Sequence, residues 1–312
     1  MTNKISIIGA GNVGVSCAQR IVERGYADVV LLGRREGPSQ GRALDILESA
    51  PILGFDSQII GTNSYKDTAN SDVIIITAGV PRPPGIKNRE EMLIGNMKIL
   101  KEVVPNVIKH SPDCIIVVCT NPTEPMTHLA LLISKFPRSR VIGLSGVTDS
   151  ARLASFIAAE LNVSVQDIAA YVLGQHGKAM VIVPRLTMVN GRPITEILSS
   201  GTIDRLIKRT IDGGSEINRL IKGEHGWSVY TPSAALTQMA EAIVLDQKKV
   251  LPCATYLQGE YGIENTVIGV PVKLGRNGIE QVVELELTTE EKAALINSAK
   301  IVQEIMATMK LN

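Results

Sequence analysis

The chain has 312 residues, 45% of them hydrophobic and 20% charged, with a formal net charge of +1. That composition excludes an extended disordered chain and gives no global basis for binding nucleic acid or an anionic membrane, so any basic feature has to be local. Cys17, Cys114, Cys119 and Cys253 lie in apolar surroundings without CxxC spacing, which points to reduced, mostly buried thiols rather than disulfides or metal ligands. No apolar run approaches the roughly 18–20 residues that span a bilayer. The N-terminus runs almost directly into "KISIIGAGNVG", leaving no room for a signal or transit peptide, and a cytoplasmic protein is expected.

In chain order, "ISIIGA", "VVLLG", "SQIIG", "DVIIITAG", "CIIVVCTN" and "RVIGLSG" are short, continuously apolar, and end in Gly, Asn or Thr. Such runs suit strands buried on both faces, and most of their separations leave room for crossover helices. The spacing predicts a Rossmann-type, doubly wound parallel sheet over residues 1–147. The pattern changes beyond that point. A long helix is expected through "VTDSARLASFIAAELNV", then strands around "AAYVLGQHG" and "MVIVPRLTMVNGRPI" with a hairpin-like turn at Asn190-Gly191. Amphipathic helices near 201–222 and 232–249 come next, then antiparallel strands in "TVIGVPVKLGRNGIEQVVEL" and a closing helix over 289–310. Residues 148–312 therefore read as an α+β substrate domain, with no linker and no internal repeat.

"GAGNVG" places Gly9, Gly11 and Gly14 in GxGxxG spacing between the first strand and the helical pattern that starts at Asn12 and Val13. The first glycine permits the tight turn, the second lets backbone approach a pyrophosphate, and the third lets helix and strand pack closely. Dinucleotide binding is the expectation.

Four further motifs follow in order: "TAGVPRPPGIKNREEML" (77–93), "CTNPTE" (119–124), "GVTDSARL" (146–153) and "LGQHG" (173–177). Together with the glycine loop they resemble the lactate/malate dehydrogenase family, in register from Lys4 to about Val283, and most closely its bacterial and archaeal malate dehydrogenases. The resemblance implies a hydride transfer between a nicotinamide cofactor and a 2-hydroxy acid. Removing the alcohol proton needs a base that titrates near neutrality, which suits histidine; by resemblance it is His176. Asp149 matches the carboxylate that orients the imidazole and stabilises its charged form. Arg152, three residues on and on the same helical face, matches the arginine that holds the substrate carboxylate in a bidentate fork. Arg89 matches the arginine that polarises the carbonyl, carried on a Pro/Gly-rich segment that reads as a closing lid. Asn121 matches the asparagine that touches both substrate and cofactor, while Asn96 and the backbone of Cys119 and Thr120 match further cofactor contacts. Ser228 and Trp227, in "GEHGWSVYTP", head towards the expected far wall of the substrate pocket, with Trp227 equally readable as core.

Arg82 matches the residue that meets the distal carboxylate in malate dehydrogenases, where lactate dehydrogenases carry a neutral side chain. Oxaloacetate/malate is therefore favoured, with L-lactate or another 2-hydroxy acid as the alternative. The Arg82–Arg89 interval is seven residues, one more than is usual in the family. GQHGK replaces the more usual GGHGD, and Lys178 is expected to lower the pKa of His176 or to disturb a neighbouring carboxylate. NPTE replaces NPxD, with Glu124 as a conservative change.

The tip of the second strand, Gly33-Arg34-Arg35, lies where an acidic residue ordinarily binds the adenosine ribose. Glycine removes the repulsion of a 2′-phosphate and the two arginines offer guanidinium partners to it; the plant NADP-dependent malate dehydrogenases likewise have glycine there. NADP is the expected cofactor, with NAD, its ribose bound by Glu36, as the alternative. Two other classes fit less well: a non-catalytic NADP sensor would have lost the His176–Asp149 constellation, and a metal-dependent NAD glycosidase would group its ligands, whereas His110, His128 and His225 are scattered. No metal is expected. The family precedent implies a homodimer or homotetramer.

Overall fold

The computed structural model describes residues 3–80, 89–221 and 228–309. The elements run β1 (Lys4–Ile8), α1 (Asn12–Glu23), β2 (Asp28–Leu32), α2 (Pro38–Glu48), α3 (Ala50–Leu53), β3 (Ile59–Thr62), β4 (Val73–Ile76), α4 (Arg89–His110), β5 (Ile115–Val118), α5 (Thr123–Ser134) and β6 (Val141–Gly143). The second half contributes α6 (Gly146–Leu161), β7 (Ile168–Ala169), β8 (Val172–Gly174), β9 (Met180–Ile182), β10 (Met188–Val189), β11 (Arg192–Pro193), α7 (Ile194–Ile197), α8 (Ser200–Leu220), α9 (Tyr230–Val244), β12 (Lys249–Gln258), β13 (Glu264–Gly275), β14 (Gly278–Val282) and α10 (Thr289–Thr308).

Six parallel strands lie in the order β3-β2-β1-β4-β5-β6. All four residues of β4 and of β5 are buried, as strands covered by helices on both faces must be. The chain reverses direction across the sheet between β1 and β4, and ligands of open α/β sheets bind in the crevice at the carboxyl ends of such a pair. One apolar core, including Ile5, Ile7, Val73 and Ile75, lies on the face covered by α1 and α9. A second, including Ile74, Ile76, Leu100 and Met126, lies beneath α4 and α5 on the other face.

The sheet does not end at β6. β12 pairs with it antiparallel at Ala254 and Gly143, and β13, β8 and β9 continue outward into an 11-stranded mixed sheet, with β14 paired to β13. The two halves are therefore joined through continuous hydrogen bonding as well as through α1 packed on α9. A third core, including Leu153, Ile157, Val172 and Leu206, ties α6 and α8 to β8.

β12 is the element that sequence reasoning missed. The helical pattern of the sequence extends to residue 249, yet α9 ends at Val244. Asp246 (φ +54°) and Lys248 (φ +55°) turn the chain into a ten-residue strand. The expected Asn190-Gly191 turn is present, with both residues at positive φ and Val189 paired to Arg192. The four cysteines are free thiols, and burial pushes those of Cys17, Cys114 and Cys119 up to about 12. Among the described residues no helix is long and apolar enough to cross a membrane.

Candidate active site

The glycine loop divides its labour as the spacing implies. A Cβ on Gly9, whose φ is +122°, would stand 2.6 Å from the Ala78 amide nitrogen, and one on Gly14 would stand 2.0 Å from the Gly9 carbonyl oxygen. Nothing lies within 4 Å of a Cβ placed on Gly11. The fold itself thus requires glycine at Gly9 and Gly14, whereas at Gly11 smallness leaves open room beside the start of α1. That helix has no side-chain cap and no acidic residue in its first turn, so its leading N–H groups and positive dipole end are free to meet an anion. These residues fit the pyrophosphate of a dinucleotide. Asn12 is exposed and Val13 half-buried at the same helix end.

Gly33 closes β2 with its N–H donated to the Thr62 carbonyl (2.8 Å). Arg34, Arg35 and Glu36 beyond it are exposed. The room at Gly33 is limited: a Cβ would approach Ser39 Cβ and Oγ to 3.1 Å. Ser39 is buried and donates to the Thr62 carbonyl at 3.0 Å. The glycine therefore accommodates the packing of α2 as well as sparing a phosphate. Arg42, one turn along α2, donates to the Ala10 carbonyl of the glycine loop.

Behind the loop, Thr77 Oγ1 donates to the Gly9 carbonyl (2.9 Å) and Thr120 Oγ1 to the Ala78 carbonyl (2.6 Å). Asn96 is buried and spends its amide on two loops, accepting from the Val80 N–H (2.7 Å) and donating to the Asn121 carbonyl (2.6 Å). It thus fixes the loops after β4 and β5. The Asn121 side chain accepts from Thr123 Oγ1 at 3.2 Å, and the Cys119 N–H continues the sheet to Ile76 (2.9 Å).

The second half supplies a buried charge cluster. Asp149, 1% exposed in the first turn of α6, accepts from His176 Nδ1 through Oδ2 (2.7 Å) and from Arg152 through Oδ1 (3.0 Å). Arg152 also donates to the Thr210 carbonyl of α8 (3.3 Å). It can lie there because α8 carries Gly213, where a Cβ would come within 2.3 Å of Arg152 Cδ. The charge of Asp149 is the main influence on the imidazole. With its hydrogen bond and with Glu124, it outweighs burial and Arg152 and holds the His176 pKa at about 9.

Glu124, in the first turn of α5, is buried beneath the same histidine. Its Oε1 accepts from the His176 main-chain N–H and from Ser145 Oγ, both at 2.7 Å. Burial pushes its pKa above the usual carboxylate range, against the pull of His176 and of the two donors. Ser298 on α10 holds the same loop from behind, accepting from the Gln175 N–H (2.8 Å) and donating to the Ala179 carbonyl (2.6 Å).

The sequence-predicted trio His176, Asp149 and Arg152 is brought together. Arg82 and Trp227 lie outside the described residues, as do Pro81, Pro83 and Pro84 of the expected lid. Arg89 opens α4, with its side chain also outside the description. Ser228 is half-buried just ahead of α9. Of the two effects expected of Lys178, a lowering of the His176 pKa is corrected: Lys178 is exposed, and among the described residues the groups acting on His176 are Asp149, Glu124 and Arg152, with a net upward effect, while the carboxylate that feels Lys178 is Asp212 of α8. Sequence reasoning missed Gly213 and Ser298, which carry no local motif. It registered Glu124 only as a conservative exchange.

The open glycine loop at the sheet crevice and the buried acid–histidine pair define a dinucleotide-dependent dehydrogenase architecture. Residues 3–143 match the model of the lactate/malate dehydrogenase NAD-binding domain and residues 147–311 that of the lactate/malate dehydrogenase alpha/beta C-terminal domain. The chain belongs to the lactate/malate dehydrogenase family. It is 49% identical to a malate dehydrogenase of Dehalococcoides mccartyi over 308 residues, covering 99% of each chain. It is 47% identical to a malate dehydrogenase of Geobacillus sp. over 309 residues, covering 98% of each. Among solved structures, the malate dehydrogenase of Salinibacter ruber superposes with a TM-score of 0.93 at 42% identity, covering 98% of this chain and 97% of that one. A lactate dehydrogenase of Cryptosporidium parvum, complexed with lactic acid and nicotinamide adenine dinucleotide, superposes with a TM-score of 0.96 at 36% identity, covering 100% and 99%.

Proposed function

We propose that the protein is a malate dehydrogenase, interconverting malate and oxaloacetate with NADP as its preferred nicotinamide cofactor. The observation that carries the reaction is the buried Asp149 bridging His176 Nδ1 (2.7 Å) and Arg152 (3.0 Å). Bound at the glycine loop, the cofactor supplies the hydride donor or acceptor. The chain supplies the proton chemistry. Asp149 accepts the Nδ1 proton, so Nε2 is the nitrogen that exchanges a proton with the substrate oxygen. As imidazolium, His176 gives that proton to the carbonyl oxygen of oxaloacetate; as neutral imidazole, it takes the proton from the hydroxyl of malate. Arg152 grips the carboxylate next to the reacting carbon, and its hold on Asp149 fixes both groups in one frame. Arg89 is assigned to the carbonyl oxygen and Arg82 to the distal carboxylate, with Asn121 and Ser228 completing the substrate site.

Cofactor contacts are assigned to Gly9, Gly11, Asn12, Val13 and Gly14 for the pyrophosphate and to Gly33, Arg34 and Arg35 for the adenosine end. Asn96, Cys119, Thr120 and Asn121 line the nicotinamide side. The NADP preference rests on the missing acid at Gly33 and on the two exposed guanidinium groups beside it. Residues 1–147 serve the cofactor and 148–312 the substrate, in a cytoplasmic homo-oligomer. A lactate dehydrogenase is the second reading, favoured by the superposition on the Cryptosporidium enzyme. Following oxaloacetate-dependent oxidation of NADPH in the wild type and in His176→Asn tests the reaction: robust turnover lost in the variant supports it, and turnover that survives the substitution refutes it.

A further inference from the structure

We propose that Glu124 is a second positioning carboxylate of the proton-transfer site, clamping the His176 main chain and setting the charge beneath its imidazole from the cofactor half of the molecule. The inference rests on the assignment of His176 as the proton carrier. The geometry is specific. One oxygen of a carboxylate that is 1% exposed accepts both the His176 N–H and Ser145 Oγ, each at 2.7 Å. A buried carboxylate is retained only where donors or opposite charge compensate its desolvation. Here the compensation comes from the histidine itself and from a serine whose backbone is held at φ +32°. Glu124 stands three residues after Asn121, so the short segment 121–124 carries the Asn121 side of the substrate site and also anchors the histidine loop of the other half.

Asp149 and Glu124 therefore divide the work on His176. Asp149 holds the ring through Nδ1, and Glu124 holds the peptide from which the ring projects. Among the described residues the charged groups acting on the ring are Asp149 and Arg152 from α6 and Glu124 from α5, and both carboxylates favour the imidazolium. Lys178 on the same loop is exposed and is not among the groups acting on His176.

Two substitutions separate charge from reach. Glu124→Gln keeps the length and an accepting oxygen but removes the charge. Glu124→Asp keeps the charge but withdraws it by one methylene, about 1.5 Å, breaking 2.7 Å contacts. With four histidines in the chain, ring NMR follows His176 directly, without turnover. The expected result in Glu124→Gln is a His176 midpoint lowered by about one pH unit, with KM for the cofactor unchanged. Wild type should also show a second inflection of the His176 signals as Glu124 takes up its proton, and the Gln variant should lack it. Glu124→Asp should retain the high midpoint yet lose about tenfold or more in kcat. A His176 midpoint unmoved in Glu124→Gln together with wild-type kcat in Glu124→Asp overturns the proposal. Asp149→Asn serves as the control. If it moves the pH–rate limb while Glu124→Gln moves nothing, only the role of Glu124 fails; if neither moves the limb, the assignment of His176 fails first.

Discussion

Replacing Asp149 by Asn should do more than weaken a hydrogen bond: it should move the proton inventory of the enzyme. With Asp149 in place the His176 pKa stands at about 9, raised from an ordinary 6.5 chiefly by that carboxylate. The difference of about 2.5 units corresponds to about 3 kcal/mol of preference for the imidazolium. At pH 7 nearly every wild-type molecule is then protonated and ready to reduce oxaloacetate, whereas at a restored pKa near 6.5 only about a quarter would be. Burial and Arg152 both push the pKa down, and Glu124 alone opposes them in the variant, so 6.5 is an upper bound. The assay is kcat/KM for oxaloacetate between pH 5 and 10, which reports the ionisation of the substrate-free enzyme. Wild type should hold a plateau that falls above about 9, and the Asn variant should fall above about 6.5. Malate oxidation needs neutral imidazole, so its wild-type profile should climb with pH and level off above about 9. Its plateau should be lower in the variant, because the amide no longer enforces one tautomer; comparable acid–histidine pairs lose about 10⁴ in kcat on that change. Superimposable alkaline limbs for the two proteins would refute the reasoning.

Several other changes have definite signs. In Gly213→Ala the new methyl would meet Arg152 Cδ at 2.3 Å, so KM for oxaloacetate should rise about tenfold or more while the helix itself gains up to about 1 kcal/mol of propensity. Arg152→Lys cannot reproduce the fork, and the loss of bidentate carboxylate recognition should reduce kcat/KM by about 10² or more. In Gly14→Ala the Cβ would stand 2.0 Å from the Gly9 carbonyl, so the glycine loop and α1 must shift apart, and calorimetry should show a lowered unfolding temperature together with loss of cofactor binding. Gly33→Asp with Arg34→Ile should turn an NADPH preference into an NADH preference, by about 10² in the kcat/KM ratio, as a charge-assisted contact is lost and a repulsion gained. Gly33→Ala alone measures the cost of crowding Ser39, and it should leave the cofactor ratio unchanged.

Much of this molecule was legible in its sequence because the relevant constraints are local. Parallel strands buried on both faces must be continuously apolar, so β1 to β6 announce themselves, and a pyrophosphate loop must be small at three fixed steps. Asp149 and Arg152 share a helical turn, so their partnership follows from spacing alone. β12 was not legible, because "VLPCATYLQ" follows a helix without a glycine or proline break and its turn relies on Asp246 and Lys248 adopting positive φ. The contacts of Glu124 with His176, 52 residues away, and of Gly213 with Arg152 arise only when distant elements pack. The expected pull of Lys178 on His176 fails for the same reason: proximity in sequence says nothing about α8, whose Asp212 is the carboxylate that feels the Lys178 charge.

The central claim is tested most directly by one set of rates: kcat/KM for oxaloacetate and for pyruvate, each with NADPH and with NADH. Oxaloacetate should be preferred to pyruvate by about 10² or more, the penalty of leaving a distal arginine without its carboxylate, and NADPH should be the better cofactor. Pyruvate reduced as efficiently as oxaloacetate would contradict the substrate assignment, and a strong preference for NADH would contradict the role given to Gly33, Arg34 and Arg35.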